Sequence, residues 1–230
     1  VLIMGIVHHP EVTQGSDEWL AMRLGLLTAS EMKHIITPTL KAANNEKTRA
    51  HLYELLAQRV TNYVEPMYVS DDMLRGVEDE FYARQAYAER YGEVDQVGFV
   101  TNDRWGFTLG YSPDGLVGAD GLIEIKSRRQ KYQVQTIIEN LTGGTIPADY
   151  MLQCQTGLLV SEREWLDFIS YSGGLPMAVI RVWPDDAVQG AIIEAAAAFE
   201  AKLAECLEIY RSASVGLIPT ERRIEREMFA

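Results

Sequence analysis

Apolar residues along this chain recur with two spacings. From Thr48 to Tyr63 and from Ser70 to Tyr91 they return with helical period, the mark of a helix buried along one side. From Gly121 to Lys126 they alternate instead, so Glu124 and Lys126 share one face of a strand with Leu122, while Ile123 and Ile125 face the core. Ser16-Asp17-Glu18-Trp19 predicts a capped helix running to about Leu24, and Thr28-Ala29-Ser30-Glu31 predicts a capping box that opens a second short helix. Pro38 to Asn45 reads as a loop. Strand character at Val97 to Asn102, Trp105 to Tyr111 and Gly121 to Lys126 predicts a three-strand meander. Helical spacing returns over Lys131 to Leu141 and Asp149 to Val160. Strands at Trp165 to Tyr171 and Met177 to Trp183 follow, then a long helix from Asp185 to about Arg211. This order predicts an α+β fold, a central mixed β-sheet flanked by helices.

No repeat, low-complexity tract or linker interrupts the chain. A single domain over residues 1–230 is expected, with a core of about 14–211 and a C-terminal extension over 212–230. The charged tail from Glu221 to Ala230 reads as a short helix, an arm to a neighbour, or a disordered end. The opening Val1 to Val7 is too short for a signal peptide and lacks its basic start, so an edge strand or a vector-derived remnant is expected. No apolar run reaches the length of a membrane span.

Cys154 and Cys206 are the only cysteines and stand far apart, which excludes a zinc ribbon or an iron–sulfur cluster and points to a reducing cytoplasm. His8, His9, His34 and His51 make no metal-binding spacing, and His8-His9 reads as a solvated pair. The formal charge of −12 argues against nucleic acid until its distribution is considered. Asp185 to Glu208 carries six acids and one lysine, whereas Asp120 to Lys131 carries two acids and four bases. The basic patch therefore lies around Glu124 and Lys126.

Candidate chemistry centres on Asp114 in the turn Ser112-Pro113-Asp114-Gly115, followed after nine residues by Glu124-Ile125-Lys126. A hairpin through that turn would gather two carboxylates and an ammonium, a divalent-metal site with its own water-orienting cation. In isolation the same pattern is also an ordinary Asp turn followed by an exposed Glu-x-Lys pair.

Further blocks accompany it in order. These are Gln14-Gly15-Ser16-Asp17-Glu18-Trp19, Arg23 to Glu31, Gly76-Val77-Glu78-Asp79-Glu80 and Tyr150-Met151-Leu152-Gln153-Cys154-Gln155. Together they resemble the PD-(D/E)XK nuclease superfamily, and within it the phage lambda-type exonucleases of viral recombination. One departure is that Ser127-Arg128 follow the lysine where several relatives carry Cys-Pro, which leaves the path out of the strand open.

The resemblance implies a restriction-endonuclease-like core and a Mg²⁺-dependent 5′→3′ exonuclease on double-stranded DNA ends, with Mn²⁺ as a substitute ion. Asp114, Glu124 and the carbonyl of Ile125 would bind the metal, and Lys126 would orient the attacking water. Glu80 is a second metal ligand or water-positioning acid by resemblance, and a solvated helix acid by its own context; Gly76, one turn earlier, would admit a close neighbour. Gln153 would contact the lysine or the scissile region, or else sit at the core edge. Arg23 and Ser30 would hold a 5′-terminal phosphate; their plain alternatives are a surface ion pair with Asp17 or Glu18, and a second cap residue. Arg128, Arg129 and Lys131 would track the DNA backbone or form a solvated basic turn. Trp19 reads as core, as do Tyr82, Tyr87 and Tyr91 by helix packing, and Tyr150 is expected to pack. A homotrimeric ring, a phage single-strand annealing protein as partner and the host cytoplasm are implied too. The alternatives are another PD-(D/E)XK endonuclease of repair or restriction, or a non-catalytic DNA-binding recombination protein.

Overall fold

Two four-stranded sheets share a helical covering, and an inner strand of the second carries the charged pair. The structure is a computed structural model that describes residues 5–66 and 70–222. Residues 1–4 of the expected edge strand and residues 223–230 of the tail lie outside those described. The elements run β1 (Ile6–His9), α1 (Asp17–Arg23), β2 (Leu27–Thr28), a 3-10 helix (Ala29–His34), α2 (Glu46–Thr61) and α3 (Asp71–Tyr91). Next come β3 (Phe99–Asn102), β4 (Leu109–Tyr111), β5 (Gly115–Val117), β6 (Gly121–Ser127) and α4 (Gln130–Gln135), which widens to π-helical spacing over Thr136–Leu141. A 3-10 turn (Ala148–Tyr150) leads into α5 (Met151–Ser161), then β7 (Trp165–Tyr171), β8 (Ala178–Val182) and α6 (Asp186–Ala213).

The expected meander is not one sheet. β3 and β4 belong to a sheet ordered β1-β3-β4-β2, whereas β6 belongs to a second sheet ordered β5-β6-β7-β8. The run from Trp105 also pairs only from Leu109, because Gly106 turns the chain at φ +84 and its amide bonds back to Asp103. β6 and β7 are parallel, with Glu124 opposite Phe168 and Lys126 opposite Ser170; the other pairs of that sheet are antiparallel. Such a parallel pair needs a crossover connection, here α4 and α5.

Helix starts follow their capping residues. Ser16, Asn45, Ser70 and Asp185 each accept a first-turn amide, which satisfies donors that the helix leaves free. The Glu31 carboxylate accepts from both the amide and the hydroxyl of Thr28, at 3.1 and 2.7 Å.

β6 is buried on both faces. Ile123 and Ile125 pack with Ile169 against Ala83 and Tyr87 of α3. Leu122 joins the larger core on the other face with Leu166, Phe168 and Leu158 of α5. Of the tyrosine stripe, Tyr87 alone is buried, its hydroxyl on Asp167 at 2.7 Å; Tyr82 and Tyr91 are exposed. His8 is exposed, but His9 is half-buried and bonds Thr101 at 3.2 Å. Among the described residues no helix is long and apolar enough to cross a membrane.

Candidate active site

Asp114 leaves β4 and enters β5, whose last pairing with β6 is Gly115 opposite Ile123. Beyond that point the ladder has no partner for the Ile125 amide, and Pro113 has no N–H to exchange with it. The Asp114 carboxylate fills the gap by accepting from Ile125 N at 2.5 Å. The turn itself is held at three successive residues. Trp19 Nε1 donates to Ser112 Oγ at 2.8 Å, Gln14 Nε2 to the Pro113 carbonyl at 2.8 Å, and Arg84 Nε to the Asp114 carbonyl at 2.8 Å. The N-terminal block therefore has a local physical task, which is to clamp this turn.

Glu124 is buried and takes hydrogen bonds on both carboxylate oxygens. Oε1 accepts from Lys126 Nζ at 2.7 Å and from Gln153 Nε2 at 2.5 Å, and Oε2 from the Tyr111 hydroxyl at 3.0 Å. Gln153 thus reaches the acid rather than the lysine. Glu80 comes from α3 and pairs with Arg84 one turn along.

The charges are strongly conditioned by burial. Desolvation pushes the Asp114 carboxyl well above the usual aspartate range, and the charges of Glu124 and Glu80 push it further. Glu80 is raised for the same first reason, partly countered by Arg84. Burial alone would lower Lys126, but the Glu124 and Asp114 carboxylates outweigh it and hold the ammonium above the ordinary lysine range. Tyr111 is lifted by burial and then by Glu124, so its hydroxyl stays protonated and remains a donor.

Asp114, Glu124, Ile125, Lys126, Glu80 and Gln153 line one cavity of about 530 Å³, and Arg23 and Ser30 line it as well. Arg23 lies over the Trp19 ring at 4.5 Å and donates to Thr28 Oγ1 at 3.1 Å. It forms no ion pair with Asp17 or Glu18. Ser30 is exposed beside it, 3.4 Å from Thr28 Oγ1.

The family model for a YqaJ-like viral recombinase domain matches residues 18–164, a span that holds every residue of this cavity except Gln14. The chain belongs to the YqaJ-like viral recombinase family. It is similar to an alkaline exonuclease (LHK-Exo) from Laribacter hongkongensis, at 33% identity over 88% of this chain and 100% of that one, with a TM-score of 0.77. A structure of LHK-Exo in complex with dAMP matches at 35% identity over 86% and 98% of the two chains, TM-score 0.74. A phage related exonuclease from Haemophilus somnus 129PT shares the fold at 11% identity over 80% and 96%, TM-score 0.58. No curated protein sequence matches the chain. The α+β, PD-(D/E)XK-type core read from the sequence is the fold this family shares.

Several expectations change within that family frame. Arg128 and Arg129 do not line the cavity. They lie with Arg75 and Asp79 around a separate depression of about 510 Å³. The Arg128 guanidinium stands 5.2 Å from the centroids of both Tyr132 and Tyr150 and donates to the Tyr150 hydroxyl at 2.6 Å. Arg129 pairs with Asp72 at 3.0 Å. A side chain at Gly76 would meet nothing within 4 Å, so this glycine admits no close neighbour; it leaves open space in the cavity wall. Trp19 is half-buried and lines the cavity instead of the core. Ser127 resolves the path out of the strand. Its hydroxyl bonds Asp79 at 2.5 Å, and the next amide, Arg128 N, continues the pairing to the Tyr171 carbonyl at 2.7 Å.

Arg84 and Tyr111 escaped the sequence reading. Arg84 stands one turn after Glu80, a spacing that marks an ion pair on any helix. Tyr111 had no such signal, because its partner lies in another sheet.

Among the described residues no three His, Cys, Asp or Glu side chains converge as a metal cage. Asp114 and Glu124 nevertheless fit a hard divalent ion. Both are oxygen donors, and their mutual repulsion in a buried setting is what a cation would offset, with waters completing its shell.

Proposed function

We propose that the protein is a divalent-metal-dependent exonuclease that digests one strand of linear double-stranded DNA from its 5′ end. The 3′ overhangs it leaves would serve recombination by strand annealing. The observation that carries this reading is the meeting of Asp114, Glu124 and Lys126 in one cavity with Arg23. The likeness to LHK-Exo supports the reaction class, and its complex with dAMP is in keeping with a mononucleotide product.

Asp114 and Glu124 would hold Mg²⁺, or Mn²⁺ in its place, with the Ile125 carbonyl as a further oxygen and Glu80 released from Arg84 as another acid. When bound, the ion supplies polarisation of the phosphate and an acidified water. Lys126 remains an ammonium at neutral pH, because the neighbouring acids hold its proton. It therefore acts as a fixed positive charge that orients the water and stabilises charge developing on the phosphate, and not as a proton acceptor. Gln153 keeps the Glu124 carboxylate turned toward Lys126. Arg23, braced between Trp19 and Thr28, presents its remaining guanidinium donors to a 5′-terminal phosphate, with Ser30 alongside. Each cut would create a new terminal phosphate for the same pocket.

A homotrimer enclosing the duplex would keep an acidic chain on its substrate, and a single-strand annealing protein would take up the exposed strand. The free cysteines suit a reducing host cytoplasm.

The test is digestion of end-labelled linear duplex in Mg²⁺ against chelator, with covalently closed circular DNA as the second substrate. Wild-type protein should release labelled mononucleotide from 5′ ends only with metal and leave circles intact, and folded Lys126→Ala should not. Full activity of Lys126→Ala would overturn the reading.

A further inference from the structure

We propose that Tyr111, seated against Gly157, is a positioning residue that fixes the orientation of the Glu124 carboxylate. The inference rests on the reading above, in which Glu124 holds the divalent ion.

Tyr111 ends β4 in the first sheet, and Glu124 lies in β6 of the second. Their 3.0 Å hydrogen bond therefore joins the two sheets at the reacting centre. Among the described residues, Lys126 and Gln153 both act on Oε1, and Tyr111 alone donates to Oε2. With that donor removed, the carboxylate can swing about its last bond while both Oε1 bonds follow it. With it present, the two oxygens are distinct and the plane is set.

Gly157 explains how the phenol comes to be there. It lies in the interior of α5, where glycine is about 1 kcal/mol less favourable than alanine. A Cβ at this position would stand 2.7 Å from Tyr111 Cζ and 3.0 Å from both Cε atoms, well inside contact distance. Helix α5 consequently lies flush on the end of the ring that bears the hydroxyl. Gly157 follows Gln153 by four residues, so one helix face supplies the donor to Oε1 and the space for the donor to Oε2. Outer hydrogen-bond partners of metal ligands commonly contribute about 10- to 100-fold in metal affinity or activity.

The experiment compares wild type, Tyr111→Phe, Gly157→Ala, the double variant and Glu124→Gln. Mn²⁺ binding is followed by the electron paramagnetic resonance signal of the free ion, alongside melting temperature and the Mg²⁺ half-saturation of duplex digestion. Tyr111→Phe, which keeps the ring, should bind Mn²⁺ about 10-fold more weakly and regain most of its maximal rate at high Mg²⁺. Gly157→Ala should show the same direction, and the double variant no further loss of Mn²⁺ affinity. If Gly157→Ala fails to fold, Tyr111→Phe decides alone. Wild-type Mn²⁺ affinity in Tyr111→Phe, with or without a lower melting temperature, overturns the proposal while loss of binding in Glu124→Gln leaves the metal reading intact. Unchanged binding in Glu124→Gln overturns both.

Discussion

Arg84 donates from Nε to the backbone carbonyl of Asp114 at 2.8 Å while its Nη2 meets the carboxylate of Glu80. One guanidinium therefore ties α3 to the turn that carries the buried acid. Arg84→Met keeps an unbranched apolar stem and removes both bonds, leaving Glu80 partly buried without its cation. Hydrogen bonds to charged groups contribute about 1.5–3 kcal/mol each, and Arg84 is only 16% exposed. A loss near ~2 kcal/mol is expected in urea unfolding of the chelated protein. An unchanged midpoint would show that the bridge is incidental.

Asp114 presents the opposite case, a residue whose ionised form opposes folding. Its folded pKa is raised above the unfolded value by burial, with Glu124 and Glu80 adding to the shift. A raised acid binds its proton more tightly in the folded state. Its contribution to stability is complete below the unfolded value and is lost as pH rises through the folded one. Metal-free protein should therefore lose this contribution as pH climbs above the ordinary carboxylate range. Asp114→Asn keeps an acceptor for Ile125 N and removes the charge. In chelator at neutral pH it should melt above wild type, with a flatter pH dependence and no nuclease activity. A lower melting temperature across that range would contradict the electrostatic account.

Arg23 offers a selectivity test. Replacing it with glutamine leaves the proposed metal ligands Asp114 and Glu124 alone and removes the charged fork beside Ser30. Wild type should degrade 5′-phosphorylated duplex at least about 10-fold faster than 5′-hydroxyl duplex, the equivalent of one charge-assisted contact. Arg23→Gln should lose most of that preference. Retained discrimination would move the phosphate pocket elsewhere.

Gln153→Met tests the third donor to Glu124 with nearly constant volume. Digestion at fixed Mg²⁺ should slow by about 10-fold or more, with the far-ultraviolet circular dichroism spectrum unchanged. Activity equal to wild type would reduce Gln153 to a packing residue.

Much of this architecture is written in local patterns. The strand over Trp165–Tyr171 and the helices capped by Ser16 and Ser70 follow from alternation and capping chemistry alone. Asp114, Glu124, Lys126 and Gln153 lie close in sequence to recognisable turns, and they do converge. What stayed hidden depends on distant pairing. No local signal tells that β3 and β4 leave β6 for another sheet, since each strand alternates equally well in either. Tyr111 on Glu124 is a contact across that division, and Trp19 on Ser112 joins a helix to a turn far along the chain. The surroundings of Arg128 were hidden for a related reason, since Tyr132 of α4 and Tyr150 on the approach to α5 flank it from beyond the strand.

Because Ile123 and Ile125 fill one apolar layer and Leu122 another, β6 admits a single alignment with its neighbours. Sliding it by one residue would turn Glu124 and Lys126 into the layer beside Ala83 and Tyr87 and bring isoleucine to the acid's place. A partly collapsed chain with β6 out of step thus lacks the proposed centre, so the proposed activity is coupled to closure of the interior.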